Sequence, residues 1–193
     1  LAAVRIPEAR LLHDGTAVAV KVLRPGIAPV IAHDVSLLYA AAALVEMLAA
    51  LKGPDGRVRV PGFYEHVVPL ADEDRAAFAA LPFDEAAWMA EIGVDALAGE
   101  SGYTTLERRS ARPTLDVNGI WGGFTGDGPK TIIPAHAHAK VSCRLVADQD
   151  PARIFTRLRD HLVAIAPPGV RVTVRDLGMG RGTLSPIDHP ATR

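Results

Sequence analysis

The chain has 193 residues, of which 49% are hydrophobic and 22% charged, and its formal net charge is −1 with a pI near 6.7. That composition fits a folded chain of one ordinary domain or two small ones and excludes disordered and collagen-like classes. One cysteine excludes a disulfide framework and a Cys-rich zinc site, and the near-neutral charge gives no footprint for nucleic acid.

The first segment reads as a hairpin and then a helix. His13-Asp14-Gly15-Thr16 is a turn signal between two apolar runs, and residues 17–23 form a β-prone run around Lys21. Arg24-Pro25-Gly26 ends that run. A helical pattern follows over residues 30–51, and Gly53-Pro54-Asp55-Gly56 stops it. Its apolar part, Val35 to Leu51, is broken by Ser36 and Glu46 and falls short of the ~20 residues a membrane span needs. No membrane partner is therefore expected. The chain starts at Leu1 without a leader pattern, so it reads as cut at its start, with the cytoplasm as the expected compartment.

Residues 57–60 read as a short strand. Residues 61–112 read as an excursion of short acidic helices, one over 72–80 and one over 84–92 with Asp84 as N-cap. Phe78 and Trp88 are its expected buried anchors. Three adjacent acids, Asp72, Glu73 and Asp74, suit a first helical turn and not a catalytic cluster.

Beyond the excursion the rhythm is strand, strand, helix, strand. Residues 114–120 are the first strand, residues 122–129 a glycine-rich connection, and residues 134–146 the clearest strand of the chain. Asp150-Pro151 opens a helix to about residue 165, with Asp150 as N-cap and Pro151 at the first helical position. Pro167-Pro168-Gly169 ends it, and residues 170–174 are the last strand. With the first helix, this predicts an α+β chain: a ferredoxin-like two-layer sandwich, an antiparallel sheet with two helices on one face.

Side chains of a strand alternate between faces. From residue 135 the odd positions are Ala135, Ala137, Ala139, Val141, Cys143 and Leu145, a small apolar face suited to lie under helices. The even positions are His136, His138, Lys140, Ser142 and Arg144, a polar face left open to a ligand or partner. Cys143 thereby reads as core and not as a nucleophile. His136-x-His138 has a spacing that zinc sites use, yet the sequence locates no third ligand, so both read as solvated histidines. Gly128-Pro129-Lys130-Thr131 resembles the end of a phosphate-binding loop, but its proline breaks the motif and a strand follows. Gly178-Met179-Gly180-Arg181-Gly182 reads as a loop, and no G-x-S-x-G elbow is present. Residues 47–100 hold 4 Lys/Arg against 10 Asp/Glu, and residues 101–193 hold 13 against 8. A basic C-terminal half favours anionic ligands or an acidic partner surface.

Two family resemblances follow from particular motifs. The first rests on Leu44-Val45-Glu46-Met47-Leu48, Asp55-Gly56-Arg57-Val58 and Val60-Pro61-Gly62-Phe63-Tyr64. It continues in Thr114-Leu115-Asp116-Val117-Asn118-Gly119-Ile120, Gly122-Gly123-Phe124, Lys130-Thr131-Ile132-Ile133-Pro134 and Lys140-Val141-Ser142-Cys143-Arg144-Leu145-Val146. Residues from about 44 to 193 resemble the lid, or dimerisation, domain of M20 zinc metallopeptidases, with the carnosinase-like dipeptidases as the nearest branch and the lid itself over 44–184. The resemblance implies a ferredoxin-like lid that pairs as a homodimer. It also implies substrate contacts from Thr131 and Arg144, the arginine taking the carboxylate of a peptide or dipeptide. Zinc and the catalytic glutamate belong to a catalytic domain missing from this chain, to which residues 185–193 begin to return. The expectation is a lid fragment of a zinc dipeptidase-like hydrolase, inactive alone and holding no cofactor itself.

The second resemblance rests on Glu8-Ala9-Arg10, Asp14-Gly15, Val18-Ala19-Val20-Lys21-Val22, Arg24-Pro25-Gly26-Ile27 and Ile31-Ala32-His33-Asp34. Residues from about 8 to 43 resemble the ABC1/UbiB atypical kinase-like family, so residues 1–43 read as a fragment of it, which implies nucleotide-phosphate contact at Lys21. The other kinase segments are absent, so no kinase activity is expected. A non-catalytic dimerisation module and a nucleotide-binding fragment are the alternative functions. The two resemblances meet near Ala40 to Leu44, where the chain reads as a chimera.

Overall fold

The computed structural model describes residues 8–10, 17–19, 40–130 and 134–183. A short antiparallel pair, β1 (Glu8–Arg10) with β2 (Ala17–Ala19), sets Glu8 opposite Ala19 and Arg10 opposite Ala17. A three-residue pair does not identify the kinase-like family to which this segment was likened. The turn at 13–16, Lys21 and residues 20–39 lie outside the described residues.

The main body is α+β. Helix α1 (Ala40–Ala50) begins at the first described residue of the helical pattern and is built of alanine and leucine, strong helix formers. It ends in a tight turn where Gly53 N–H donates to the Arg57 carbonyl at 2.8 Å. Gly56 has φ +74, and a Cβ there would meet the Gly99 carbonyl, so this turn requires glycine. The strand expected over 57–60 is reduced to one antiparallel bridge between Lys52 and Val58. The tight turn leaves little chain to pair, and Pro61 brings no N–H to extend a ladder. Val58 and Val60 are nevertheless buried, with exposed Arg59 between them.

The excursion carries α2 (Asp72–Ala79), α3 (Glu85–Ile92) and α4 (Thr105–Ser110). Asp84 caps α3 by accepting from Ala87 N–H at 3.0 Å, as its sequence position predicts. Phe78 and Trp88 are only half-buried, because α2 and α3 bury no residue at all. Charge anchors the excursion instead. Glu100 takes both Nε and Nη2 of Arg112 at 2.9 Å, and Arg57 Nη1 at 2.6 Å. The Arg112 guanidinium lies 4.3 Å from the Tyr103 ring centroid and 5.2 Å from that of Tyr64. Burial works against the Arg112 charge, but Glu100, Tyr103 and Tyr64 together outweigh it and raise its pKa. This cluster ties the chain entering the excursion, Arg57 and Tyr64, to the chain leaving it.

Strands β3 (Thr114–Gly122) and β4 (Ala137–Arg144) form a two-stranded antiparallel sheet. Thr114 faces Arg144, Leu115 faces Cys143, and Val117 faces Val141. A bulge at Asn118 then shifts the register, so Gly119 faces Lys140 and Trp121 faces His138. Helix α5 (Pro151–Ala164) follows, with Asp150 accepting from Ala152 N–H at 3.0 Å and Pro151 in its first turn. Its buried Ile154, Leu158 and Leu162 recur every four residues, which marks one helix face.

Helices α1 and α5 cover one face of the sheet. Met47, Leu48, Leu51, Phe63, Leu115 and the three α5 residues are core, and Ala139, Val141 and Cys143 of β4 pack against them. The strand expected over 170–174 forms no ladder. Burial still alternates there, with Val172 and Val174 packed on the core and Arg171 and Thr173 outside. The side-chain period is that of a strand, but no neighbouring strand among the described residues supplies its hydrogen bonds. No described helix is long and apolar enough to cross a membrane.

Leu115 is 1% exposed and lies between both helices and β4. Leu115→Ala is expected to destabilise the chain by about 2–5 kcal/mol in a urea titration, through lost transfer energy and a residual cavity.

Candidate functional site

The face of the β3–β4 sheet away from the helices is open and polar. Burial along β4 alternates without exception, and His138, Lys140, Ser142 and Arg144 all fall on the exposed side. The alternating pattern of residues 135–145 predicts this arrangement. His136, one residue before β4, is also exposed.

Arg144 stands at one end of this face, opposite Thr114. It forms no ion pair with any described residue. The nearest carboxylate along the partner strand, Asp116, is already engaged. Thr114 Oγ1 donates to its Oδ2 at 2.8 Å, and Lys52 Nζ lies 3.5 Å from its Oδ1. The guanidinium is thus left for an outside anion, and its fork geometry suits a carboxylate taken by two parallel hydrogen bonds. Thr131, the other position expected to contact substrate, lies outside the described residues, as does Lys21.

The other end of the face is aromatic. Trp121 stacks on His138 with ring centroids 5.3 Å apart and planes 16° apart, and His136 lies 6.5 Å from His138. The sequence reading passed over Trp121. By simple alternation from Leu115 it belongs on the buried face, and only the bulge carries it to the polar one. Beside it, Leu44, Val45, Ile120 and Trp121 line an apolar cleft of about 210 Å³. That is below the ~300 Å³ of the smaller ligand pockets, so the open face and not a cavity is the candidate site.

Among the described residues, no group of three or more His, Cys, Asp or Glu stands ready to hold a metal ion. A catalytic zinc centre needs three protein donors and an open position. The described residues do not fit one.

Three comparisons bear on this arrangement. The family described as "Peptidase dimerisation domain" matches residues 32–170. That span crosses Ala40 to Leu44, where the two sequence resemblances meet, without a break, and lends no support to a kinase-like segment. The Beta-Ala-His dipeptidase of Rattus norvegicus is 29% identical over 122 residues, covering 63% of this chain and 25% of that protein. An M20 family metallo-carboxypeptidase from Sulfolobus solfataricus superposes with a TM-score of 0.58 at 33% identity, covering 65% of this chain and 33% of that one. Human carnosine dipeptidase 1 gives a TM-score of 0.56 at 30% identity, over 64% and 26%. The chain spans about a quarter of the length of the curated relatives it matches.

Cys143 points toward the helices, and its thiol is pushed up from 9.0 to about 11, chiefly by burial and also by the Asp116 carboxylate, with Lys52 opposing. Labelling by a thiol reagent at mildly alkaline pH is expected to be slow in the folded chain and fast in denaturant. The folded state keeps this proton to higher pH than the unfolded state. Its contribution to stability is therefore full below pH 9.0 and is lost as pH rises to about 11, which urea midpoints across that range would show.

Proposed function

Because the chain belongs to the peptidase dimerisation domain family, we propose that it is the lid and pairing portion of an M20 zinc dipeptidase-like hydrolase. In this reading it joins two subunits and offers Arg144 to the carboxylate of a peptide or dipeptide substrate, with Thr131 as a second contact. The zinc ions and the general base belong to a separate catalytic domain. The layer of α1, α5, β3 and β4 is then the body of a ferredoxin-like lid. The observation that carries the reading is the open sheet face, on which Arg144 is exposed and unpaired among the described residues while its neighbour Asp116 is held by Thr114 and Lys52. No observation favours nucleotide binding at Lys21 over this reading.

Sedimentation equilibrium of the purified chain tests the pairing. A homodimer is expected at micromolar concentration, and a strictly monomeric species at high micromolar concentration overturns the pairing role. The purified chain is also expected to hydrolyse no dipeptide when zinc is added. Arg144 is tested in an enzyme that carries this domain beside a catalytic domain. There Arg144→Ala removes a charge-assisted contact of about 1.5–3 kcal/mol, so kcat/KM is expected to fall roughly 10- to 100-fold. Arg144→Lys should recover only part of that loss, because an ammonium cannot supply the two-pronged geometry. Unchanged kcat/KM in both variants would remove Arg144 from the substrate site.

A further inference from the structure

In an antiparallel sheet, successive residues of a strand aim their backbone groups at opposite neighbours. On one edge β4 is bonded to β3, while its other edge meets no strand among the described residues. Residues 170–175 carry a second set of backbone groups without a ladder. Val172 and Val174 pack against the same core as Ala139, Val141 and Cys143, yet no pairing joins that segment to β4. The two run in the same direction. Helix α5 leads away from the end of β4, and the chain beyond residue 170 returns to it. A Cβ at Gly182 would lie 3.4 Å from Ala147 Cα, and Arg181 Nη2 is 3.5 Å from Asp150 Oδ2.

We propose that the outer edge of β4 and residues 170–175 together accept an extended segment of a partner protein, in which small apolar residues alternate with aspartate or glutamate. One strand laid antiparallel between two segments of the same direction bonds to both. Its main chain supplies affinity, and its alternating side chains supply selection. Inward side chains of such a strand join the layer of Ala139, Val141, Val172 and Val174 beneath the helices. Outward ones emerge among Lys140, Arg171 and Arg175, which are all exposed and form no ion pair with a described residue. Asp176, the acid next to Arg175, is turned to its own loop, where it accepts from Gly178 N–H at 2.8 Å. Acidic outward residues therefore meet three cations, and basic ones are repelled by them.

The test is a titration of the full chain with two synthetic peptides long enough to run beside β4. One alternates valine with glutamate, the other valine with lysine. Amide hydrogen exchange, followed residue by residue, reads where they bind. The glutamate peptide is expected to saturate at one equivalent and to slow exchange in β4 and in residues 170–175 together. The lysine peptide is expected to bind roughly tenfold more weakly or worse. Arg171→Glu combined with Arg175→Glu is expected to reverse that preference, which a mere loss of structure does not do. No saturation by the glutamate peptide, equal binding of both peptides, or protection confined to one of the two segments overturns the proposal. Slow exchange of both segments before any peptide is added also overturns it, since the acceptor is then filled by the chain itself or by a second copy. Should the double variant fail to fold by circular dichroism, the comparison of the two peptides on the unaltered chain decides alone.

Discussion

The two-stranded sheet has one apolar face, and that face must be covered. Ala139, Val141 and Cys143 of β4, with Leu115 of β3, give a surface of small side chains too narrow to be stable in water. Helices α1 and α5 close over it with Met47, Leu48, Leu51, Ile154, Leu158 and Leu162. Because both helices lie on one side, the other side stays open. The exposed row from His138 to Arg144 follows from this packing and needs no separate structural device.

The excursion is held by different means. Its first two helices contribute nothing to the core, so hydrophobic burial does not fix their positions. A buried Glu100–Arg112 pair, with Arg57 and two tyrosine rings, holds the ends of the segment together. A second contact, between Arg75 and the buried Glu107, joins α2 to α4. Such pairs add little net stability over apolar packing, but losing one partner strands a charge in the interior. The geometry of the excursion is therefore specified sharply at a few points and loosely elsewhere.

What was legible in the sequence follows the same division. Period-two alternation placed Arg144, His136 and His138 on one open face, and Asp84 and Asp150-Pro151 marked helix starts, because these signals act within a few residues. Residues 57–60 and 170–174 have strand-like alternation, yet a strand also needs a partner, which no local pattern supplies. Helix α4 was missed although Thr104 and Glu107 form a capping box, since six residues show no hydrophobic period. Phe78 and Trp88 look like anchors by residue type, while the actual anchors are charged. Trp121 escaped notice because a bulge is invisible to alternation.

That bulge divides β3 into two halves with opposite parity. Up to Val117 the even residues share a face with Arg144; from Gly119 onward the odd residues do. Deleting Asn118 would remove the spare residue and leave a regular ladder, with Gly119 still opposite Lys140 and Trp121 still opposite His138. Flattening the bulge with Asn118 retained would instead slide the second half of β3 by one residue and exchange Ile120 and Trp121 across the sheet. The face that the indole occupies is thus written in one unpaired residue three positions away, and not in the tryptophan itself.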